Sequence, residues 1–223
     1  MERLQLGRTG LLVSRIGMGG LPLMRLSKKK GVRLVKEVLD LGVNLIDTAN
    51  CYGDSEEKIG EGLKGRNRDE IIVASKSLAI DKKTFLEHID LSLKRMQLDY
   101  IDIYQLHMVN PEERMRQFMA PGGAYQGLQE AIERGKVKHA GFSSHSTKET
   151  KKLILAEKFE VIQIPFNFIE TEPEKEIIPL ARKKNLGIVA MKPLGGGILD
   201  NARLCFLYLA QFPCKYPILV LKK

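Results

Sequence analysis

The sequence predicts an α/β fold in which eight strands alternate with helices along a chain of 223 residues. Two observations lead to this prediction. Short apolar runs such as residues 71–75 and 161–166 read as buried strands, and the stretches between such runs carry apolar residues at helical spacing. That alternation is typical of a parallel sheet with helical crossovers. A closed (β/α)₈ barrel fits eight strands better, although an open doubly wound sheet gives the same alternation.

A small β-hairpin is predicted ahead of the barrel. Residues 4–6 and 11–13 flank the turn-like segment GRTG, as the two arms of such a hairpin would. The eight barrel strands are then predicted at residues 13–20, 43–47, 71–75, 100–106, 136–143, 161–166, 187–192 and 216–221.

Helices are predicted between these strands from apolar spacing and from terminal signals. Asp54 with Glu57, and Ser146 with Glu149, have the spacing of capping boxes at the start of two helices. Residues 108–121 are interpreted as a long loop. The predicted helices cover residues 28–41, 55–63, 86–96, 122–135, 146–157, 173–184 and 201–211.

Composition is typical of a soluble globular protein. With 43% hydrophobic and 28% charged residues, we expect residues 1–223 to form a single domain with a substantial core. The net charge of +9 favours a solvated basic surface over attraction of a polyphosphate ligand. Nucleic acid is not expected as a partner, because the basic residues are spread along the chain without a recognition motif. No stretch approaches the roughly 20 apolar residues of a membrane span.

The cysteines argue for a reducing compartment. Cys51, Cys205 and Cys214 form no CxxC pair, and the N-terminus has no apolar signal region. We therefore expect a cytoplasmic protein, and no residues suggest a metal site.

Four polar residues at or near the ends of predicted strands suggest general-acid catalysis. Asp47 and Tyr52 lie in NLIDTANCYGDSEEKIG, Lys76 closes IIVASK and His107 closes YIDIYQLH. A tyrosine can protonate a carbonyl oxygen if a nearby lysine lowers its pKa, and an aspartate can hold that lysine charged. A histidine beside them can fix the oxygen. Each residue alone also has an ordinary structural interpretation, but four at one barrel rim favour the catalytic one.

These motifs resemble those of the aldo-keto reductase family. The segments DTANCYGDSEEKIG, SK and QLH match in order, followed by GFSSHS, VIQIPFNFIE and VAMKPLGGGIL, from about Gly7 to about Val220. The resemblance implies a (β/α)₈ barrel that reduces aldehyde or ketone carbonyls with NADPH, or with NADH. In the family the tyrosine is the acid, so the resemblance assigns catalysis to Asp47, Tyr52, Lys76 and His107.

The same resemblance implies a set of cofactor-binding residues. Ser143, Ser144 and Gln163 match positions that bind the nicotinamide amide. Met191 stands where many members have a tyrosine that stacks on the nicotinamide, and a polarizable thioether can also pack there. The segment expected along the pyrophosphate consists of Lys192, Pro193, Leu194, Gly195, Gly196 and Gly197. Met18, Met108 and Phe118 are expected near the substrate.

Two other interpretations remain open at this point. The chain ends at Lys223, just after the eighth predicted strand, so the eighth helix and the C-terminal loop of the family are expected to be missing from it. Some relatives carry a cysteine cluster for iron and sulfur in that region. Potassium-channel beta subunits also resemble the family, so a nicotinamide-binding interaction module is the alternative to an enzyme. The sequence specifies neither the substrate nor the oligomeric state.

Overall fold

A barrel of parallel strands forms the centre of the molecule. The structure, a computed structural model, describes residues 1–212 and the backbone of residues 216–219. Within these residues a closed barrel of eight strands follows a two-stranded antiparallel hairpin of β1 (Arg3–Gln5) and β2 (Leu12–Ser14). The barrel strands are β3 (Gly17–Gly19), β4 (Leu45–Asp47), β5 (Ile72–Ser77), β6 (Ile101–Leu106), β7 (Val137–Ser143), β8 (Val161–Pro165), β9 (Gly187–Met191) and β10 (Tyr216–Leu219).

The strand order decides between the closed barrel and the open doubly wound sheet. Each strand from β3 to β9 pairs in parallel with its successor in the chain, and β10 closes the ring between β9 and β3. Tyr216 pairs with Val189, and Ile218 pairs with Gly17. The closed (β/α)₈ barrel is therefore confirmed over the open sheet. Residues 220 and 221 of the predicted eighth strand, and Cys214, lie outside the described residues.

Helices connect the strands on the outside of the barrel. Ser27 accepts a hydrogen bond from the Lys30 amide at the start of α1, and Asp81 accepts one from the Thr84 amide at the start of α3. These caps satisfy amide groups that have no partner inside the helix. The helices are α1 (Lys28–Asp40), α2 (Ser55–Leu63), α3 (Lys82–Met96), α4 (Glu112–Met119), α5 (Ala124–Glu133), α6 (Thr147–Leu155), α7 (Glu172–Lys175), α8 (Ile177–Lys183) and α9 (Ala202–Ala210).

Three expectations about helices were wrong. The predicted loop at 108–121 contains α4, whose Phe118 is fully buried and whose first turn holds two glutamates that favour a helix start. The predicted helix 173–184 is broken at Glu176, where ψ is −47° but φ is −120°. Neither capping box forms: Asp54 binds Lys58 Nζ at 2.6 Å instead, and the Ser146 side chain caps no amide.

The barrel interior explains how the polar site is positioned. Side chains alternate between the two faces of a strand, and one cluster of buried apolar residues contains Leu45, Ala74 and Val161. Asp47, Lys76 and Gln163 lie two positions after these three residues. All three polar side chains therefore point into the barrel, at the carboxyl ends of β4, β5 and β8.

The hairpin closes the opposite end of the barrel. Leu6 and Val13 are fully buried in the same cluster as the interior residues of the strands. Gly7 has a φ of +54°, and a Cβ there would lie 2.2 Å from the backbone nitrogen of Gly187. Arg8 donates hydrogen bonds to two carbonyl oxygens, those of Lys184 at 3.0 Å and Phe159 at 2.7 Å. Only glycine fits at position 7, because the hairpin presses directly against β9.

Candidate active site

The carboxyl ends of the strands surround a cavity of about 310 Å³. All four predicted catalytic residues line it, although they come from β4, β5, the end of β6 and the loop after β4. Asp47, Tyr52, Lys76 and His107 are joined there by Gly19, Gly20, Leu21, Cys51, Leu78, Met108, Ser143, His145, Gln163, Met191 and Lys192.

Lys76 and Asp47 form a buried ion pair at this cavity. The Lys76 Nζ donates hydrogen bonds to Asp47 Oδ2 at 2.7 Å and to the Thr48 carbonyl at 2.6 Å. The two side chains are only 3% and 5% exposed. Burial raises the pKa of Asp47, while the charge of Lys76 and the Gln163 amide act against that rise. The pair thus fixes a cation beneath the cavity.

Tyr52 lies directly beside this cation. The Lys76 Nζ is 5.3 Å from the centre of the Tyr52 ring. Burial, and then the charge of Asp47, raise the pKa of Tyr52 above its usual range. The phenol therefore keeps its proton at neutral pH and can donate it. This net shift is opposite to the predicted lowering of the pKa by Lys76.

His107 contributes a neutral ring to the same cavity. Its centre lies 5.9 Å from the centre of the Tyr52 ring, with the two planes at 79°. Burial, with help from the positive charges of Lys76 and Arg114 and from His145, lowers the pKa of His107 to about 3. A neutral imidazole carries one N–H, so His107 can donate one hydrogen bond to a ligand.

The residues predicted to bind nicotinamide divide between two places. Gln163 is 2% exposed and lines the cavity, and its Oε1 has no hydrogen-bond partner within the described part of the chain. Ser143 and Met191 also line the cavity. Ser144 is fully buried and exchanges hydrogen bonds with the backbone of Ser146 at 3.1 Å. It lines a neighbouring cavity of about 450 Å³ instead.

The predicted pyrophosphate segment begins at the cavity and leaves it. Lys192 lines the cavity with a φ of +57°, whereas Pro193 and Leu194 lead away from it. The following glycines, Gly195, Gly196 and Gly197, form one short turn. Gly196 has a φ of +68° with open space around it, so its backbone conformation rather than crowding favours glycine.

Sequence reasoning missed some residues of the site and misplaced others. Met108 lines the cavity as expected, but Met18 and Phe118 lie in the core between strands and helices. The contact between Cys51 Sγ and His107 Nδ1, at 3.7 Å, was not foreseen. The position of Cys51 directly before Tyr52 was the one signal that could have suggested it.

Among residues 1–212 and 216–219, no group of three or more histidine, cysteine or acidic side chains is placed to hold a metal ion. In the same part of the chain, every helix is too short or too polar to cross a membrane.

Comparison with known proteins identifies the family. The sequence model of the aldo/keto reductase family matches residues 15–204. The chain belongs to this family. The aldo/keto reductase fold agrees with the closed barrel.

Three relatives show how far the similarity extends. The chain is 30% identical to aldo-keto reductase YhdN of Bacillus subtilis over 220 residues, which cover 90% of this chain and 64% of that protein. It is also 30% identical to the oxidoreductase YrpG of the same organism, with 92% and 70% covered. The holo form of AKR11C1 from Bacillus halodurans superposes with a TM-score of 0.80 at 29% identity, with 90% and 69% covered. The chain thus spans about two thirds of the length of these relatives.

Proposed function

We propose that the protein is an NADPH-dependent reductase that converts aldehydes or ketones to alcohols, with Tyr52 as the proton donor. The observation that carries this proposal is the meeting of Tyr52, His107 and the Lys76–Asp47 pair on one cavity. These four residues come from separate elements of the barrel, and the carboxyl ends of the strands are where such barrels place their chemistry.

Tyr52 and His107 act on the substrate oxygen in this proposal. Negative charge develops on a carbonyl oxygen when hydride reaches the carbon. The Tyr52 hydroxyl gives that oxygen a proton, and the neutral His107 ring donates a hydrogen bond that orients it. Both groups are in the correct protonation state at pH 7, because the pKa of Tyr52 is raised and that of His107 is lowered.

Lys76 and Asp47 act through Tyr52. As the phenol loses its proton it becomes an anion, and the nearby Lys76 ammonium stabilises that charge. Asp47 holds the ammonium in place through the 2.7 Å hydrogen bond. The pair therefore stabilises the transition state of proton transfer more than it stabilises the resting enzyme. Only such preferential stabilisation raises the rate.

The cavity fits a nicotinamide. The buried, unpartnered Oε1 of Gln163 can accept a hydrogen bond from a carboxamide N–H, and the Ser143 hydroxyl lies on the same wall. Met191 can pack against an aromatic ring. Ser144 and the segment from Lys192 to Gly197 complete the proposed binding set. When bound, the reduced cofactor supplies the hydride. NADH is the alternative donor.

We further propose that residues 1–223 form one domain, that its substrates are small carbonyl compounds, and that it acts in the cytoplasm.

The test is a titration of the full chain with NADPH and with NADH, followed by cofactor oxidation in the presence of a panel of aldehydes and ketones. We expect tighter binding of NADPH and oxidation that depends on the carbonyl compound. Binding without turnover on any compound would instead favour the interaction-module alternative. Failure to bind either cofactor would contradict the proposal.

A further inference from the structure

Cys51 contacts the proposed catalytic histidine, and the mechanism above does not use it. Its Sγ lies 3.7 Å from His107 Nδ1, although the two residues are 56 positions apart in the chain. Both residues line the cavity, and Cys51 directly precedes Tyr52. The thiol is thus placed where it can influence the ring that orients the substrate.

The direction of the contact follows from the chemistry of the two groups. Cys51 is partly open to solvent, and partial desolvation raises the pKa of its thiol. Burial lowers the pKa of His107, so both groups are neutral at pH 7. A neutral imidazole has one donor and one acceptor nitrogen. Imidazole nitrogen is a good acceptor, whereas thiol sulfur is a poor one. The favoured arrangement therefore has the S–H pointing at Nδ1.

This arrangement decides where the ring proton resides. With Nδ1 accepting from sulfur, the proton must be on Nε2. No hydrogen bond within the described residues occupies Nε2, so an N–H there is left for a ligand. The opposite tautomer would leave Nε2 as an acceptor, which repels a carbonyl oxygen.

We propose that Cys51 is a positioning residue that holds His107 in the Nε2–H tautomer. The inference rests on the proposed function, because that function gives the Nε2–H group its role of orienting the substrate oxygen. The contact itself can be tested without any turnover.

The experiment measures the ¹⁵N chemical shifts of the His107 ring in the full chain at pH 7. The chain has four histidines, and the spectrum of His107→Gln identifies the signals of His107 by their loss. We expect a protonated Nε2 and an unprotonated Nδ1 in the original protein. Cys51→Ser, which keeps a donor, should preserve this pattern, and Cys51→Ala should give a mixture of tautomers.

A matched control and a kinetic measurement separate positioning from folding. Cys205→Ala removes a buried thiol from α9, outside the cavity, and should leave the His107 shifts unchanged. In Cys51→Ala, kcat should fall about three- to tenfold, as for the loss of one weak hydrogen bond. KM for the cofactor should stay the same, and Cys51→Ser should recover most of the activity.

Three results would overturn the inference. They are an Nδ1–H tautomer in the original protein, a ring protonated on both nitrogens as in a thiolate–imidazolium pair, and an unchanged tautomer in Cys51→Ala. If no carbonyl compound is turned over, the proposed function fails, but the ring shifts still decide the role of Cys51.

Discussion

Among the described residues, two buried carboxylates lie on the barrel strands, one near each end of the barrel, and their surroundings differ. Near the amino ends of the strands, Asp102 Oδ2 accepts hydrogen bonds from Arg68 Nη2 at 2.6 Å and from the Val73 amide at 2.9 Å. Its Oδ1 lies 3.7 Å from Lys138 Nζ. At the carboxyl ends, Asp47 Oδ2 binds Lys76, but Oδ1 has no hydrogen bond of good geometry within the described residues.

The contrast separates a structural ion pair from a functional one. Polar groups buried without partners destabilise the folded state, so a barrel that only had to fold would satisfy them. Asp102 has two hydrogen bonds on Oδ2 and an ion-pair contact of 3.7 Å on Oδ1, and it borders no part of the cavity. The end that holds Asp47 also leaves Gln163 Oε1 unpartnered. Arg68 Nε and Gln105 Oε1 are also buried without partners elsewhere in the described residues, but at the cavity a bound ligand can supply the missing hydrogen bonds.

The largest effect is expected for Tyr52→Phe. The Tyr52 hydroxyl makes no hydrogen bond within residues 1–212, so its removal should change the free energy of unfolding by less than about 0.5 kcal/mol. Loss of a general acid should lower kcat by roughly 10²- to 10⁴-fold. Steady-state kinetics with a reactive aldehyde, beside urea unfolding, provide the measurement. Unchanged kcat would remove Tyr52 from the mechanism.

The second prediction compares the two ion pairs directly through Arg68→Met and Lys76→Met. Arg68→Met leaves the buried Asp102 with only the Val73 amide and the Lys138 ammonium at 3.7 Å, so we expect a loss of about 3 kcal/mol in the free energy of unfolding. Its kcat should be unaffected, because Arg68 lies away from the cavity. In Lys76→Met, Asp47 can take up a proton, since burial already raises its pKa. We therefore expect a smaller loss of stability with a severe loss of kcat.

Urea unfolding and turnover of both variants provide this comparison. Equal activity in the two variants would show that Lys76 serves only the structure, as Arg68 does.

The third prediction concerns the unpartnered amide of Gln163. Gln163→Leu should weaken NADPH binding about tenfold, which corresponds to about 1.4 kcal/mol and one lost hydrogen bond. Stability should change little, because the variant removes both a buried oxygen without a partner and an amide that interacts with Asp47. Gln105→Leu is the matched control, since Gln105 Oε1 is also buried without a partner but does not line the cavity. If both variants bind NADPH as tightly as the original protein, Gln163 does not hold the cofactor.

The smallest effect is expected in the pH dependence of stability. The pKa of His107 is about 3 in the folded protein and about 6.5 in the unfolded chain, so the unfolded chain takes up the proton first as pH falls. Between pH 7 and pH 6 this should lower the free energy of unfolding by about 0.7 kcal/mol. His107→Gln should remove that part of the slope in urea unfolding at the two pH values. An identical slope in both proteins would mean that His107 titrates normally.

The sequence predicted the barrel and most of the cavity lining, for a physical reason. Asp47 and Lys76 were assigned to one rim because the carboxyl ends of barrel strands meet there, whereas Gln163 was assigned by the family resemblance alone. The position of α4 was missed because only Met115, Phe118 and Met119 mark its apolar face. The contact between Cys51 and His107 could not be predicted, because it depends on how a loop places one side chain against a ring.

The hairpin that closes the far end of the barrel also sets an order of assembly. Arg8 binds the backbone carbonyl of Lys184, which lies 176 residues further along the chain. During synthesis, the hairpin can bind Asn44 early, but its docking is complete only when nearly all of the strands have been made. Contacts between such distant segments form slowly, because a long loop must close before they can contribute. Until that late step, Leu6 and Val13 are not fully covered, and the newly made chain exposes apolar residues at the amino ends of its barrel strands to solvent.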